Sequence, residues 1–362
     1  MSLATSKRYR RSPYLILLWS GDEATVLHAH TLARFRIHPR LFTLLSRLGE
    51  WTRAEELATA GDLAGSEKLE GLSRLGLLQV EDDITERGSA HFTWDPLELA
   101  VQRRTAHGGA WPEPLPSGPP PRKSRVLEGR PYIDLPRPAP TLPESLSSVL
   151  QRRRSVRSYA SRSLELGELS TLLHHAARVV SVVHNAQRGE GALRPFPTAG
   201  ARSALEIYVV SSDVSGLAPG AHHYDAYEHR LITIRRRDPH QDILMRSVNA
   251  ATGAKLDREP SVVFLITAVF EQVMWKYRDL GLSLIYKDVG ALFQTVYLVA
   301  TALGLSPCAV GSGDEAANSR WLGLDPLCES QVGCFLIGPG SGRRDAPGGS
   351  RIRTSTYRRA RK

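Results

Sequence analysis

The chain has 362 residues, 41% of them hydrophobic and 23% charged, which allows at least one sizeable core and leaves room for two domains. Its three cysteines, Cys308, Cys328 and Cys334, are too few for a disulfide framework and form no C-x-x-C pair, so a disulfide scaffold and a cysteine-based zinc site are excluded and a reducing cytoplasm is expected. The net charge of +10 is concentrated at one end: residues 343 to 362 hold eight Lys or Arg against one Asp. That tail is either a solvated end or an attractor of an acidic partner, and neither nucleic acid nor membrane is expected as a partner.

Near the start, Tyr14 to Trp19 gives only a short apolar run before Asp22 and Glu23, so no secretory signal is expected. Leu41, Leu44, Leu45 and Leu48 fall on one face of a helix beginning at Pro39. Thr52-Arg53-Ala54-Glu55 has the capping-box pattern of a second helix start, and a third helix over about Glu67 to Leu75 stops at Gly76, with a strand at Leu77 to Val80. This order resembles a winged helix over residues 1 to 95. A DNA-binding version needs a basic third helix, whereas Ser66 to Leu75 balances Glu67 and Glu70 against Lys68 and Arg74, leaving peptide docking or a structural role.

Residues 96 to 140, with Pro112, Pro114, Pro116 and Pro119 to Pro121, read as a linker or a wrapping arm. From 141 to 345 the pattern becomes mixed α and β. Helices are predicted near 143 to 153, 166 to 180 and 280 to 304, and strands at Leu205 to Val210, Leu231 to Ile234, Ser261 to Phe270 and Cys334 to Ile337. The run Val289 to Leu305 is interrupted by Gln294, follows Lys287 and Asp288, and is short of the roughly 20 residues a bilayer needs, so it is read as a buried helix. Residues 346 to 362 form the basic tail.

The chain has no G-x-G-x-x-G after a strand, no G-x-x-x-x-G-K-[ST] and no H-E-x-x-H, so the common nucleotide, phosphate and zinc motifs are absent. The pairs His28/His30, His174/His175 and His222/His223 lack cysteine or carboxylate partners at ligand spacing and are read as surface or packing histidines; no metal site is expected. Three segments carry candidate chemistry. Arg152-Arg153-Arg154-Ser155-Val156-Arg157 lies where a helix gives way to an extended segment, and such arginines around a hydroxyl either clamp a phosphate or form a solvated face. Pro197-Thr198-Ala199-Gly200-Ala201-Arg202 precedes the strand at Leu205, a Gly-containing turn whose amides can approach a flat ligand, or a plain turn. Cys308-Ala309-Val310-Gly311-Ser312-Gly313 offers small residues after the long helix.

In order and spacing these segments resemble the nitroreductase superfamily and, within it, the SagB-type dehydrogenases that oxidise azolines in modified peptides. The likeness also includes Ala221 to Asp225, Trp275-Lys276-Tyr277-Arg278, Asp288-Val289-Gly290 with Gln294, and Leu322 to Asp325. The resemblance implies an α+β fold, a nitroreductase-like FMN-binding fold with an N-terminal winged-helix-like domain, and a cytoplasmic homodimer with FMN at its interface. It gives Arg153, Arg154, Ser155 and Arg157 to the phosphate and ribityl chain, and Thr198, Ala199 and Gly200 with Gln294 to the flavin region. Val310, Gly311 and Ser312 go to the polar edge of the ring, and Lys276 and Tyr277 to catalysis, with Tyr286 and Lys287 in reserve. A second phosphate-binding arginine is implied among Arg343, Arg344, Arg351 and Arg353.

The resemblance implies oxidation of a thiazoline or oxazoline in a ribosomal precursor peptide, with a cyclodehydratase complex as partner. An NAD(P)H-fed nitroreductase or flavin reductase, an oxidase of carrier-bound azolines and a non-catalytic winged-helix regulator are the alternatives. Lys276 and Tyr277 are expected on a loop between a strand and the long helix. Where many relatives read E-A-G-H and Q-N, this chain has Asp288 to Ala291 and Gln294-Thr295.

Overall fold

The computed structural model describes residues 7–57, 66–81, 94–106, 127–185, 189–253, 256, 258–311 and 313–341, and the chain divides into two units, Met1–Ala110 and Trp111–Lys362. The prolines at 112 to 121 and the basic tail lie outside the described residues.

The first unit contains β1 (Arg8–Arg11), β2 (Leu15–Ser20), β3 (Glu23–His28), β4 (Arg34–Arg36), α1 (Pro39–Arg47), β5 (Thr52–Arg53), α2 (Ala54–Leu57), α3 (Ser66–Arg74), β6 (Leu78–Val80) and α4 (Pro96–Ala106). Its strands form two small sheets, β5-β1-β6 and β2-β3-β4. Leu44, Leu45 and Leu48 of the predicted helix face meet Tyr9, Leu69, Leu77 and Leu78 in one core. Two expectations change. Thr52 does not open a helix: it pairs with Tyr9 across the sheet, and its hydroxyl donates to the Glu50 carbonyl at 3.1 Å, so backbone pairing takes the place of the cap. The linker expected from residue 96 begins as a helix, because Asp95 Oδ1 accepts from the Leu97 amide at 2.8 Å and Leu99 and Ala100 bury against Ala29.

The second unit contains β7 (Tyr132–Asp134), α5 (Leu146–Arg152), β8 (Leu164–Glu165), α6 (Leu166–Ala177), β9 (Ser181–Asn185), β10 (Gly189–Leu193), β11 (Leu205–Ser211), β12 (Val214–Ser215), β13 (Gly220–Asp225) and β14 (Arg230–Arg236). It continues with α7 (Pro239–Ala251), β15 (Val262–Val269), α8 (Phe270–Tyr277), α9 (Gly281–Ala302), β16 (Leu305–Val310), α10 (Glu315–Trp321) and β17 (Glu329–Pro339). Seven strands form one antiparallel sheet in the order β16-β17-β15-β11-β13-β14-β7. The run Val262–Val269 is apolar on both faces because helices cover both sides. On one side, Ile207, Phe264 and Ile266 pack with Leu169 and Leu172 of α6 and Ile285, Leu292 and Val296 of α9. On the other, Val210, Val263 and Leu265 pack with Leu244, Met245 and Val248 of α7 and with Trp321 of α10. The 22-residue α9 is the buried helix expected from the sequence; among the described residues no helix is long and apolar enough to cross a membrane. Cys308 to Val310, read only as small residues following that helix, form part of the edge strand β16.

His28, His222 and His223 are buried, His174 and His175 half-buried and His30 exposed, and among the described residues no group of three or more His, Cys, Asp or Glu is placed to hold a metal. His229 joins them: Tyr224 Oη donates to Nδ1 at 2.9 Å, Nε2 donates to Ser170 Oγ at 2.9 Å, and Ser170 donates on to the Pro136 carbonyl at 2.5 Å. Burial and Arg178 lower the pKa of His229, which favours the neutral ring in this chain. His174 stacks edge-on against it, 5.2 Å between ring centres, and burial, Arg178, His229 and His175 together push its pKa from 6.5 to about 4. The unfolded chain therefore binds the proton more readily between those two values, and stability is lost as pH falls through that window. Melting temperature is expected to fall as pH drops from 6.5 to about 4, and to fall less in His174→Asn. Differential scanning calorimetry across that range checks it, and parallel curves for the two proteins would be the contrary result.

Candidate active site

The arginine segment is positioned by the end of α5 and the long helix. Arg153 leaves the helix in an extended conformation while its amide still donates to the Val149 carbonyl. Arg153 lies over the ring of Tyr297, 5.2 Å from its centre, and Ser155 Oγ is 2.6 Å from the Tyr297 hydroxyl. That hydroxyl accepts from the Ala309 amide at 2.7 Å, and the Val156 amide donates to the Pro307 carbonyl at 2.8 Å, so the segment is fastened alongside β16. Arg157 is half-buried; Arg154 is exposed and bends back to donate to the Arg152 carbonyl, while Arg152 is engaged by Glu144. At the end of β16, Val310 is buried and Gly311 exposed; Ser312 lies outside the described residues, as do Arg343, Arg344, Arg351 and Arg353. Gln294 is exposed on α9, about one turn before Tyr297.

A second cluster forms around the small-residue turn. Ala199 to Ala201 make one 3-10 turn with Gly200 at φ +55°, and Ala201 and Ser203 also have positive φ, 58° and 54°. Behind it, Arg202 is buried; its guanidinium donates to the Glu190 carbonyl of the β9–β10 hairpin and lies 5.4 Å from the ring centre of Trp275, and burial lowers its pKa. Trp275, Lys276 and Tyr277 belong to α8, which corrects the expected loop: Phe270 to Tyr277 continue from β15 as a helix whose Val273 and Tyr277, one turn apart, face the main core while Trp275 is buried on another side beside Arg202. A methyl group placed on Gly200 would overlap the Tyr277 hydroxyl and lie 2.7 Å from Lys276 Nζ. Both polar heads thus meet the bare α-carbon of the turn. From α9, both carboxylate oxygens of Asp288 accept from the Ala199 amide, at 3.0 and 3.1 Å. Asp288 is 7% exposed, and burial raises its pKa against the opposing pull of that amide.

The structure therefore brings Thr198 to Gly200 together with Lys276 and Tyr277, and Arg153 to Arg157 together with the end of β16. It does not merge the two groups. Asp288 and Tyr297 stand nine residues apart, two and a half helical turns, so they project from opposite sides of α9. Tyr286 and Lys287 are exposed on that helix, away from both. Asp288 and Tyr297 were not assigned roles from the sequence; a carboxylate and a hydroxyl on otherwise apolar helix faces were the signals available.

An antiparallel sheet covered by helices on both faces, with an arginine segment at the end of one helix and a glycine turn facing a Lys-Tyr pair, defines an oxidoreductase-type α+β domain. Residues 150–339 match the sequence profile of the Nitroreductase family, and the chain belongs to that family. Protein MJ1384 of Methanocaldococcus jannaschii, named as a nitroreductase, is 35% identical over 167 residues, 46% of this chain and 78% of its own length. The trifolitoxin-processing protein TfxB of Rhizobium leguminosarum bv. trifolii is 27% identical over 216 residues, 59% of this chain, which spans only 58% of that relative. Among solved structures, a protein of Anabaena variabilis described as a nitroreductase superimposes with a TM-score of 0.52 at 20% identity, over 73% of this chain and 54% of its own, a likeness of fold alone.

Proposed function

We propose that this chain is an FMN-dependent dehydrogenase that converts thiazoline or oxazoline rings of a ribosomal precursor peptide into thiazoles or oxazoles. The observation that carries the reading is the meeting of Lys276 Nζ and the Tyr277 hydroxyl at the bare α-carbon of Gly200, a position any side chain would fill. The trifolitoxin-processing relative supports a peptide as substrate.

The residues fit FMN. Arg153 and Ser155 gather at Tyr297 beside β16 with Arg157 half-buried two residues on, suited to a phosphate and ribityl chain, and Gly311 is exposed at the end of β16. Arg154, turned back on Arg152, contributes charge only. Thr198 to Gly200 offer an open surface for a flat ring, bounded by Lys276 and Tyr277. Because the two clusters project from opposite sides of α9, a flavin in contact with both takes one from each of two copies, which supports a homodimer.

When bound, FMN supplies the hydride acceptor for the ring carbon next to the heteroatom. Lys276 takes the proton from the ring carbon adjoining the amide, and the Tyr277 hydroxyl orients the ring by hydrogen bonding. Two hydrogens leave the azoline, one as a proton to Lys276 and one with its electron pair, and the ring becomes aromatic. The buried wall of Trp275 and Arg202 keeps water from that side of the turn.

Purified protein is expected to be yellow, with a flavin spectrum. Arg157→Ala is expected to bind FMN roughly tenfold to a hundredfold more weakly, since one charge-assisted contact is worth about 1.5–3 kcal/mol. Fluorescence titration of the apoprotein measures this, and a wild type that takes up no FMN would refute the reading. The identity to MJ1384 favours a second reading, nitro reduction fed by NAD(P)H. Supplying a heterocyclised peptide in one reaction and a nitroaromatic with NAD(P)H in another separates the two.

The first unit is proposed to dock the peptide leader, because α3, the helix that would meet duplex DNA in a winged helix, balances Glu67 and Glu70 against Lys68 and Arg74 and has no net positive charge.

A further inference from the structure

We propose that Asp288 is a positioning residue for the Lys276–Tyr277 pair, holding the Thr198–Gly200 turn at the place where both side chains must end. The inference rests on the reading of that pair as the proton-transfer groups.

The turn does not hold itself. Three of the four residues Gly200 to Ser203 have positive φ, and two of these are not glycine, a conformation that persists only when the surroundings impose it. Its internal bonds are two short-range ones, Ala201 amide to Thr198 carbonyl and Arg202 amide to Ala199 carbonyl, at 3.2 and 3.1 Å. From outside the turn, Arg202 donates to the Glu190 carbonyl and Arg194 to the Ser203 hydroxyl at its far end, while at its near end the carboxylate of Asp288 on α9 accepts from the Ala199 amide.

The choice of residue is costly for packing alone. Asp288 lies among Ile285, Val289 and Leu292, all members of the core that also includes Tyr277, and an apolar side chain there would avoid the desolvation that raises its pKa. Among the described residues its hydrogen bonds go to the Ala199 amide and to neither Lys276 nor Tyr277, so it acts through the turn. A shift of the turn by a fraction of an ångström would move the surface that stops Lys276 Nζ and the Tyr277 hydroxyl, which approach the Gly200 position more closely than any side chain allows.

Asp288→Ala and Asp288→Asn, in the full chain, separate positioning from charge and from folding, because asparagine keeps an acceptor for the Ala199 amide. The first readout is hydrogen–deuterium exchange of the peptide around Ala199, which requires no activity. Exchange is expected to quicken about tenfold or more in Asp288→Ala and to stay near wild type in Asp288→Asn. The second is azole formation on a heterocyclised peptide: kcat is expected to fall on the order of 10²-fold in the alanine variant and less than about tenfold in the asparagine variant, with KM unchanged. Equal loss in both variants would assign the effect to charge and overturn the proposal. So would wild-type exchange in Asp288→Ala, fast exchange with undiminished catalysis, or an alanine variant that fails to fold beside a normal asparagine one. A wild type that oxidises no azoline would count against the proposed function instead, while the exchange rates still decide whether Asp288 holds the turn.

Discussion

Lys276→Ala and Tyr277→Phe are expected to lose azole formation by on the order of 10²-fold or more while keeping the flavin spectrum and the dimer. Lys276 is half-buried at the end of α8, with Nζ 4.7 Å from the centre of the Tyr277 ring, so removing the amine takes away the proposed base without unseating a core residue. Tyr277 is 8% exposed and packs in the main core; phenylalanine keeps that packing and deletes only the hydroxyl that points at Gly200. Mass spectrometry of a heterocyclised peptide reads the result directly, because each oxidation removes about 2 Da as two hydrogens. Oxidation at the wild-type rate by both variants would remove the pair from catalysis.

Gly200→Ala is expected to be nearly as damaging to activity, for a different reason. The residue sits at φ +55°, where an alanine costs on the order of 1 kcal/mol, a loss the whole domain can absorb. Its methyl group, however, would occupy the space of the Tyr277 hydroxyl and lie 2.7 Å from Lys276 Nζ. Both are ends of side chains and not backbone, so the overlap is relieved by moving them while the fold survives. A displacement near 1 Å of reacting groups is worth about 10²-fold in rate. Melting temperature is therefore expected to drop by only a few degrees while turnover falls a hundredfold; unfolding in parallel with the loss of activity would contradict this account.

Much of the catalytic domain was legible along the chain. The buried strand at Val262–Val269 and the long helix at Gly281–Ala302 announced themselves through runs of apolar residues longer than any loop would carry. Arg153 to Arg157 and Thr198 to Gly200 had bland readings by residue type, a solvated face and a plain turn, and stood out through the order and spacing of the family resemblance. Other features were missed. Helix α7 was not among the predicted helices, although Asp238 caps it and Pro239 opens its first turn. Helix α8 was read as a loop because it is only eight residues long and begins directly where β15 ends.

The sequence by itself determined the fold class, the order of the segments that carry chemistry, and the residue types available at each, because periodicity and residue chemistry are local properties. Only the tertiary structure decided which of these residues meet. Asp288 lies 89 residues from Ala199, Tyr297 lies 142 from Ser155, and Gly200 reaches Lys276 and Tyr277 only because β11 and β15 pair side by side, with the turn preceding one strand and α8 continuing from the other. Contacts at such separation depend on sheet order and helix packing, and on which face of α9 each residue occupies, so they appear only once the chain is folded.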